Sequence, residues 1–209
     1  MYQEILDKKR KDVFEVLKKL SFIGDFDLGG GTALALQIGH RVSVDFDFFT
    51  KDFLESNFLK DLERELPSNS VELNVNSREE LTFFFDGVKV TFLHYPYPRL
   101  LSPVDLEGVT ALNVLEIAST KAYTVGRRVE YKDYIDLYFV LKEQGISLGG
   151  IIDLSNRKYG SKFNSRLFLE QLVDDSIEEV PIKFIKNPVP KGEIFKFFEG
   201  LVSDFKRNL

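Results

Sequence analysis

The stretch LGGGTALALQIGHRVSVDFDFF, Leu28–Phe49, decides how this chain folds. Three glycines, Gly29 to Gly31, follow an apolar strand expected over FIGDFDL and let the backbone turn sharply and come close to a ligand. Thr32 is placed to cap a helix running from Ala33 to Ile38. The first amides and positive dipole end of that helix suit an anion lying over the glycines. From Val42 to Phe49, Val44, Phe46 and Phe48 alternate with Ser43, Asp45 and Asp47, which predicts a strand with both carboxylates on one face. Two acids so placed repel unless they share a divalent cation, and hard cations want carboxylate oxygens. A glycine run before a helix is by itself an ordinary turn, and a lone Asp-x-Asp on a strand is an ordinary solvated face. Their order and spacing join them into one candidate phosphate and metal site.

A second block, LNVLEIASTKAYTVGRRVEYKDYIDLYFVLKE, covers Leu112–Glu143. Apolar residues recur at helical spacing through Leu112, Leu115, Ile117 and Ala118, and again through Tyr134, Leu137, Tyr138 and Leu141. Two helices joined near Gly126 are expected. Lys121 lies late on the first, while Asp133 and Asp136, three apart, share a face of the second. Spacing alone reads these as solvated charges pairing with Arg127, Arg128 or Lys132 at little energetic consequence.

Gly30, Gly31, Thr32, Asp45 and Asp47 resemble the first motif of the DNA polymerase β-type nucleotidyltransferase superfamily, a glycine pair with Ser or Thr, a spacer, then DxD or DxE. More narrowly, the segment is similar to the AbiEii/AbiGii abortive-infection toxin family, matching at Gly30, Gly31, Thr32, Ala33, Leu34, Gly39, His40, Arg41, Ser43, Asp45, Asp47 and Phe49. The second block matches that family's helix lysine at Lys121 and its KDxxDL-like motif at Lys132, Asp133, Asp136 and Leu137. The resemblance implies transfer of a nucleoside monophosphate from a nucleoside triphosphate (NTP) to an acceptor hydroxyl. It implies Asp45 and Asp47 as catalytic ligands of Mg²⁺ (or Mn²⁺), and Gly30, Gly31, Thr32, Arg41, Ser43 and Lys121 as nucleotide contacts. Lys121 and Asp136 would complete the catalytic group, with Asp133 a subordinate candidate. It further implies a toxin-like component of a toxin–antitoxin or abortive-infection system, with a tRNA end or other RNA as acceptor and a cognate antitoxin as partner. The alternatives are a catalytically silent interaction module of the same fold, and the same enzyme acting on a protein hydroxyl or a small molecule. One position departs from the superfamily pattern: the strand expected over Val88 to His94 carries Thr91 and Leu93 where a third acid is usual.

The expected fold class is α+β: a nucleotidyltransferase-like mixed β-sheet with flanking helices over residues 1–103, then a helical region over 104–209 that completes the active cleft. An opening helix spans Tyr2 to Leu20 and a later one Leu54 to Leu66, with strands over Ser70 to Asn76, Glu80 to Asp86 and Val88 to His94. Asp86-Gly87 between two apolar runs reads as a hairpin turn. After Tyr95-Pro96-Tyr97-Pro98 the remainder reads as helices and loops, interrupted at Pro181, Pro188 and Pro190.

The 209 residues are long enough to bury a core, and 20 phenylalanines make that core aromatic. The chain has no cysteine and two histidines, which excludes disulfides and zinc–thiolate chemistry. The N-terminus lacks the apolar core of a signal peptide and no apolar run reaches transmembrane length, so a cytoplasmic location and no membrane partner are expected. A net charge of −5 argues against indiscriminate polyanion binding. Two local basic stretches stand against that balance, Lys121, Arg127, Arg128 and Lys132, and then Lys183, Lys186, Lys191 and Lys196.

Overall fold

Hydrophobic alternation in the first half and helical periodicity in the second translate, in a computed structural model, into an α+β chain whose described residues are 1–66, 71–125, 127, 128 and 130–207. The chain divides into two compact units, Met1–Asn113 and Val114–Leu209. The predicted strand start at Ser70, the helix joint at Gly126 and the chain end at Leu209 lie outside the described residues. Among those described, no helix is long and apolar enough to cross a membrane.

The first unit is built on a mixed sheet of strands β1 (Asp27–Gly29), β2 (Phe46–Thr50), β3 (Val71–Asn76), β4 (Glu80–Phe85), β5 (Val88–His94), β6 (Val104–Leu106) and β7 (Val109–Ala111). Their order across the sheet is β3-β4-β5-β2-β1-β7-β6. β1 is antiparallel to β2 and parallel to β7, and β2 is parallel to β5. The predicted hairpin holds: β4 and β5 pair antiparallel from Phe85 opposite Val88. Asp86 and Gly87 turn there with φ of 49° and 66°, the left-handed pair a two-residue turn requires.

Helices α1 (Lys8–Leu17), α2 (Gly30–Ile38) and α3 (Phe58–Glu65) accompany the sheet. The opening helix is shorter than predicted, because Asp7 caps α1 through its side chain on the Arg10 amide and a separate 3₁₀ turn, Gln3–Ile5, precedes it. The predicted strand over FIGDFDL is reduced to Asp27–Gly29, since Ile23–Asp25 close another 3₁₀ turn. α2 is largely apolar and is buried at Ala33, Leu34, Ala35, Leu36 and Ile38. The phenylalanine content is spent where expected. Phe92 sits at the centre of rings from Phe22, Phe26, Phe48, Phe58 and Phe83, at centroid distances from 4.8 to 6.3 Å.

The reading of everything after Pro98 as helices and loops is corrected by β6 and β7, which hydrogen-bond as a hairpin and attach to β1 through Leu28 opposite Ala111. Its strands are too short for period-two alternation to stand out. The informative signal is Glu107-Gly108, whose φ values of 56° and 91° mark the turn.

The second unit holds α4 (Val114–Thr124), α5 (Tyr131–Glu143), α6 (Leu148–Tyr159), α7 (Ser165–Leu172) and α8 (Lys191–Arg207). Ser147 caps α6 and Asn164 caps α7 through their side chains. Tyr134 and Tyr138 of α5 pack on Phe195, Phe197 and Phe198 of α8. The second basic stretch is partly consumed inside this unit: Lys186 pairs with Glu143, and Lys191 donates to the Ile177 carbonyl at 2.6 Å.

Candidate active site

β1 runs directly into α2, and the join is the glycine turn. Gly30 has φ +64°, and a Cβ there would lie 2.5 Å from Asp47 Oδ2. A Cβ at Gly31 would lie 2.6 Å from Arg41 Nη2 and 3.1 Å from Ser43 Oγ. The left-handed backbone favours glycine at position 30, and the carboxylate seated on it leaves no room for a side chain. Five predicted residues, Gly30, Gly31, Arg41, Ser43 and Asp47, are brought together here. Arg41 and Ser43 are 4% and 8% exposed, so the guanidinium is held inside the turn, and Arg41 Nη1 also donates to the Val42 carbonyl at 3.1 Å.

Thr32 is close by in a different role from the one predicted. Gly29 is the N-cap of α2, the helix starts at Gly30, and Thr32 lies within its first turn. Three consecutive glycines allow the backbone to enter the helix early. The Thr32 hydroxyl then donates across to the Asp45 carbonyl instead of back to its own helix. That bond pins the main chain just before β2. The strand accordingly begins at Phe46 and not at Val42, with residues 42–45 outside the sheet pairing.

Asp45 at the strand entry and Asp47 within β2 are both half-buried. Asp47 stands in register between Gly29 of β1 and Thr91 of β5, so Thr91 occupies the neighbouring strand position on its row. Among the described residues no group of three or more His, Cys, Asp or Glu side chains is arranged to hold a metal ion. Two hard carboxylates nevertheless fit Mg²⁺, which takes one or two carboxylates and completes its shell with water and substrate phosphate oxygens.

In the helical unit Lys121, Asp133 and Asp136 meet. Lys121 Nζ lies 2.5 Å from Asp133 Oδ1 and 2.8 Å from Asp136 Oδ2. All three are buried. Asp133 also accepts from Thr124 Oγ1 at 3.2 Å and from Arg128 Nε at 3.1 Å. The solvated-charge reading of these residues is thus replaced by a buried cluster, with Asp133 as closely bound as Asp136. Arg127 makes neither pair; its guanidinium lies 3.8 Å over the Tyr123 ring and donates to the Tyr123 carbonyl at 2.7 Å.

Sequence reasoning passed over a second buried pair on α4. Lys158 Nζ and Glu116 Oε2 are 2.6 Å apart with side chains 1% and 0% exposed, and Ser119 and Ser155 share a hydrogen bond of 3.0 Å beside them. The signal was present: polar residues three apart interrupt the apolar faces of both α4 and α6.

A strand passing through a glycine turn into a buried helix, followed by one acid at the entry of the adjacent strand of a mixed sheet and a second within it, defines a nucleotidyltransferase. Residues 15–204 match the family described as nucleotidyl transferase AbiEii toxin of a type IV toxin–antitoxin system, and the chain belongs to that family of enzymes. An uncharacterised protein of Aquifex aeolicus (strain VF5) is 35% identical over 211 residues, covering 97% of this chain and 98% of its own. A crystal structure from H. pylori, described as a nucleotidyltransferase, superposes with a TM-score of 0.57 at 17% identity, covering 98% of this chain and 99% of the other. That likeness is one of fold.

Proposed function

We propose that the chain transfers a nucleoside monophosphate from an NTP to a hydroxyl at an RNA end, such as that of a tRNA, as the toxin partnered by a cognate antitoxin. The observation that carries this reading is the Asp47 carboxylate seated on the Gly30 backbone at the start of α2, with the Arg41 guanidinium against Gly31. Acid, cation and helix amides converge on one turn, and a triphosphate carrying a hard metal needs that combination.

In this reading the amides at the start of α2 and the Arg41 guanidinium bind phosphate oxygens, Ser43 adds a hydroxyl, and Asp45 and Asp47 hold Mg²⁺ or Mn²⁺. When bound there, the metal neutralises charge on the phosphate oxygens. The acceptor oxygen forms a bond to the α-phosphorus, the bond to the β-phosphate breaks, pyrophosphate leaves and the acceptor's proton passes to solvent. Positioning and electrostatics supply the acceleration. From the helical unit we assign Lys121 to triphosphate charge and Asp136 to holding Lys121, with Asp133 sharing that task. Nucleotide and RNA substrates place the reaction in the cytoplasm.

Incubation with each α-labelled NTP, Mg²⁺ and total cellular RNA, protein and small molecules, followed by identification of the labelled species, tests the assignment. RNA labelled by the unaltered chain and not by Asp45→Ala or Asp47→Ala is the expected result. Full labelling by the double alanine variant, or label only in protein or small molecules, would overturn the metal site or the acceptor class respectively.

A further inference from the structure

The row of the sheet that carries Asp47 continues outward through two threonines. Asp47 is in register with Thr91 of β5, and Thr91 with Thr82 of β4. Residues in register present their side chains on one face of the sheet. Thr91 and Thr82 are 7% and 2% exposed, while the opposite face of the same strands is filled by Phe83, Phe85, Val90 and Phe92. Thr82 Oγ1 lies 2.6 Å from Glu80 Oε1 and 3.1 Å from Thr91 Oγ1.

Proton counting fixes the direction of this chain. Each hydroxyl has one proton to give, and a carboxylate only accepts. Thr82 therefore donates to Glu80, and Thr91 must donate to Thr82. The Thr91 oxygen is left with lone pairs alone to offer along the row toward Asp47, one strand spacing of about 4.8 Å away. Phosphate oxygens are acceptors themselves, so a triphosphate is the wrong partner for Thr91. An alcohol O–H brought beside the Asp47 carboxylate is the right one.

We propose that Glu80, Thr82 and Thr91 form a polarised hydroxyl relay that makes Thr91 the hydrogen-bond acceptor for the attacking hydroxyl of the acceptor substrate. The proposal rests on the nucleotidyl-transfer reading of Asp45 and Asp47. Thr91 orients the hydroxyl so that its lone pair faces the α-phosphorus, at the strand position where superfamily members are expected to carry an acid. Glu80 and Thr82 are positioning residues that act only by committing the Thr91 proton.

The test is steady-state transfer from α-labelled NTP into the labelled cellular species, with NTP and Mg²⁺ varied separately. Thr91→Val, Thr82→Val and Glu80→Leu should each lower kcat about tenfold, the loss of one oriented hydrogen bond. KM for NTP and the Mg²⁺ requirement should stay unchanged. Thr91→Ser, which keeps the hydroxyl, and Glu80→Gln, whose amide oxygen still accepts from Thr82, should restore the rate. Glu80→Leu combined with Thr91→Val should lose no more than either alone, because both break one relay. Should Thr91→Val fail to fold, Glu80→Leu against Glu80→Gln at the half-buried strand start carries the same comparison. Unaltered kcat in Thr91→Val, or a loss confined to KM for NTP, would overturn the relay alone. Transfer surviving Asp45→Ala with Asp47→Ala would instead overturn the reading beneath it.

Discussion

On the sheet, Asp45 and Asp47 stand half-buried against a glycine turn with a single buried guanidinium, whereas in the helical unit Lys121, Asp133 and Asp136 are enclosed and bind one another. The sheet cluster offers two carboxylates beside Arg41. The helical cluster encloses one cation, Lys121, between two anions, Asp133 and Asp136, and Arg128 reaches Asp133 from the exposed side. Half-exposed acids gain from an added cation, while an enclosed cluster already bridged by its own lysine loses much by losing a member. Similar residue types are thus half-exposed against a turn in one place and enclosed among themselves in the other.

The sharpest way to break this contrast is Lys121→Met. It leaves two buried carboxylates facing each other, and the helical unit should lose about 3–5 kcal/mol, read as a lower urea midpoint by circular dichroism. Unchanged stability would show that the cluster is not cohesive. Asp47→Ala should do the reverse. Transfer should fall by roughly 100-fold or more, while the thermal midpoint should fall by less than in Lys121→Met. A collapse in stability there would make the sheet acids structural. Gly30→Ala lies between the two. It forces a side chain into a left-handed backbone at a cost of about 1–2 kcal/mol and pushes on Asp47, so stability and activity should fall together in paired melting and transfer assays.

The smallest effect is a dependence on pH confined to the helical unit. Burial pushes the Tyr134 hydroxyl up to about 12, with Asp174 and Asp133 adding to it. Burial likewise raises Tyr131 to about 12, with Glu179 adding. Both are above the ordinary tyrosine value near 10. The folded state holds these protons more tightly than the unfolded chain. Their stabilisation is therefore complete below pH 10 and is lost as pH rises toward 12. Melting followed by phenolate absorbance should show the helical unit losing stability through that window; ionisation of both tyrosines near 10 in the folded chain would refute it.

The sheet site was largely legible because its residues lie within 22 positions and each has a local reason: glycine for the turn, alternation for the acids. The role of Thr32 was misassigned because three glycines let the helix start earlier than a capping residue would indicate, a choice made by the Asp45 carbonyl across the turn. Spacing placed Lys121, Asp133 and Asp136 on helices but could not give their burial, which depends on how α4 and α5 pack. The β6–β7 hairpin escaped notice for a different reason. Three-residue strands earn their place by pairing with β1, and that pairing is non-local.

The Glu116–Lys158 pair and the Ser119–Ser155 bond have a consequence for helix register. Running antiparallel, the two contacts act as a two-tooth key between α4 and α6. A slip of one turn either way separates both teeth and leaves a buried charge without its counterion, a penalty of about 3–5 kcal/mol. Apolar helix faces tolerate sliding, and this one does not. Lys121, two residues beyond Ser119 on the same helix, therefore has its height fixed by α6 as well as by Asp133 and Asp136.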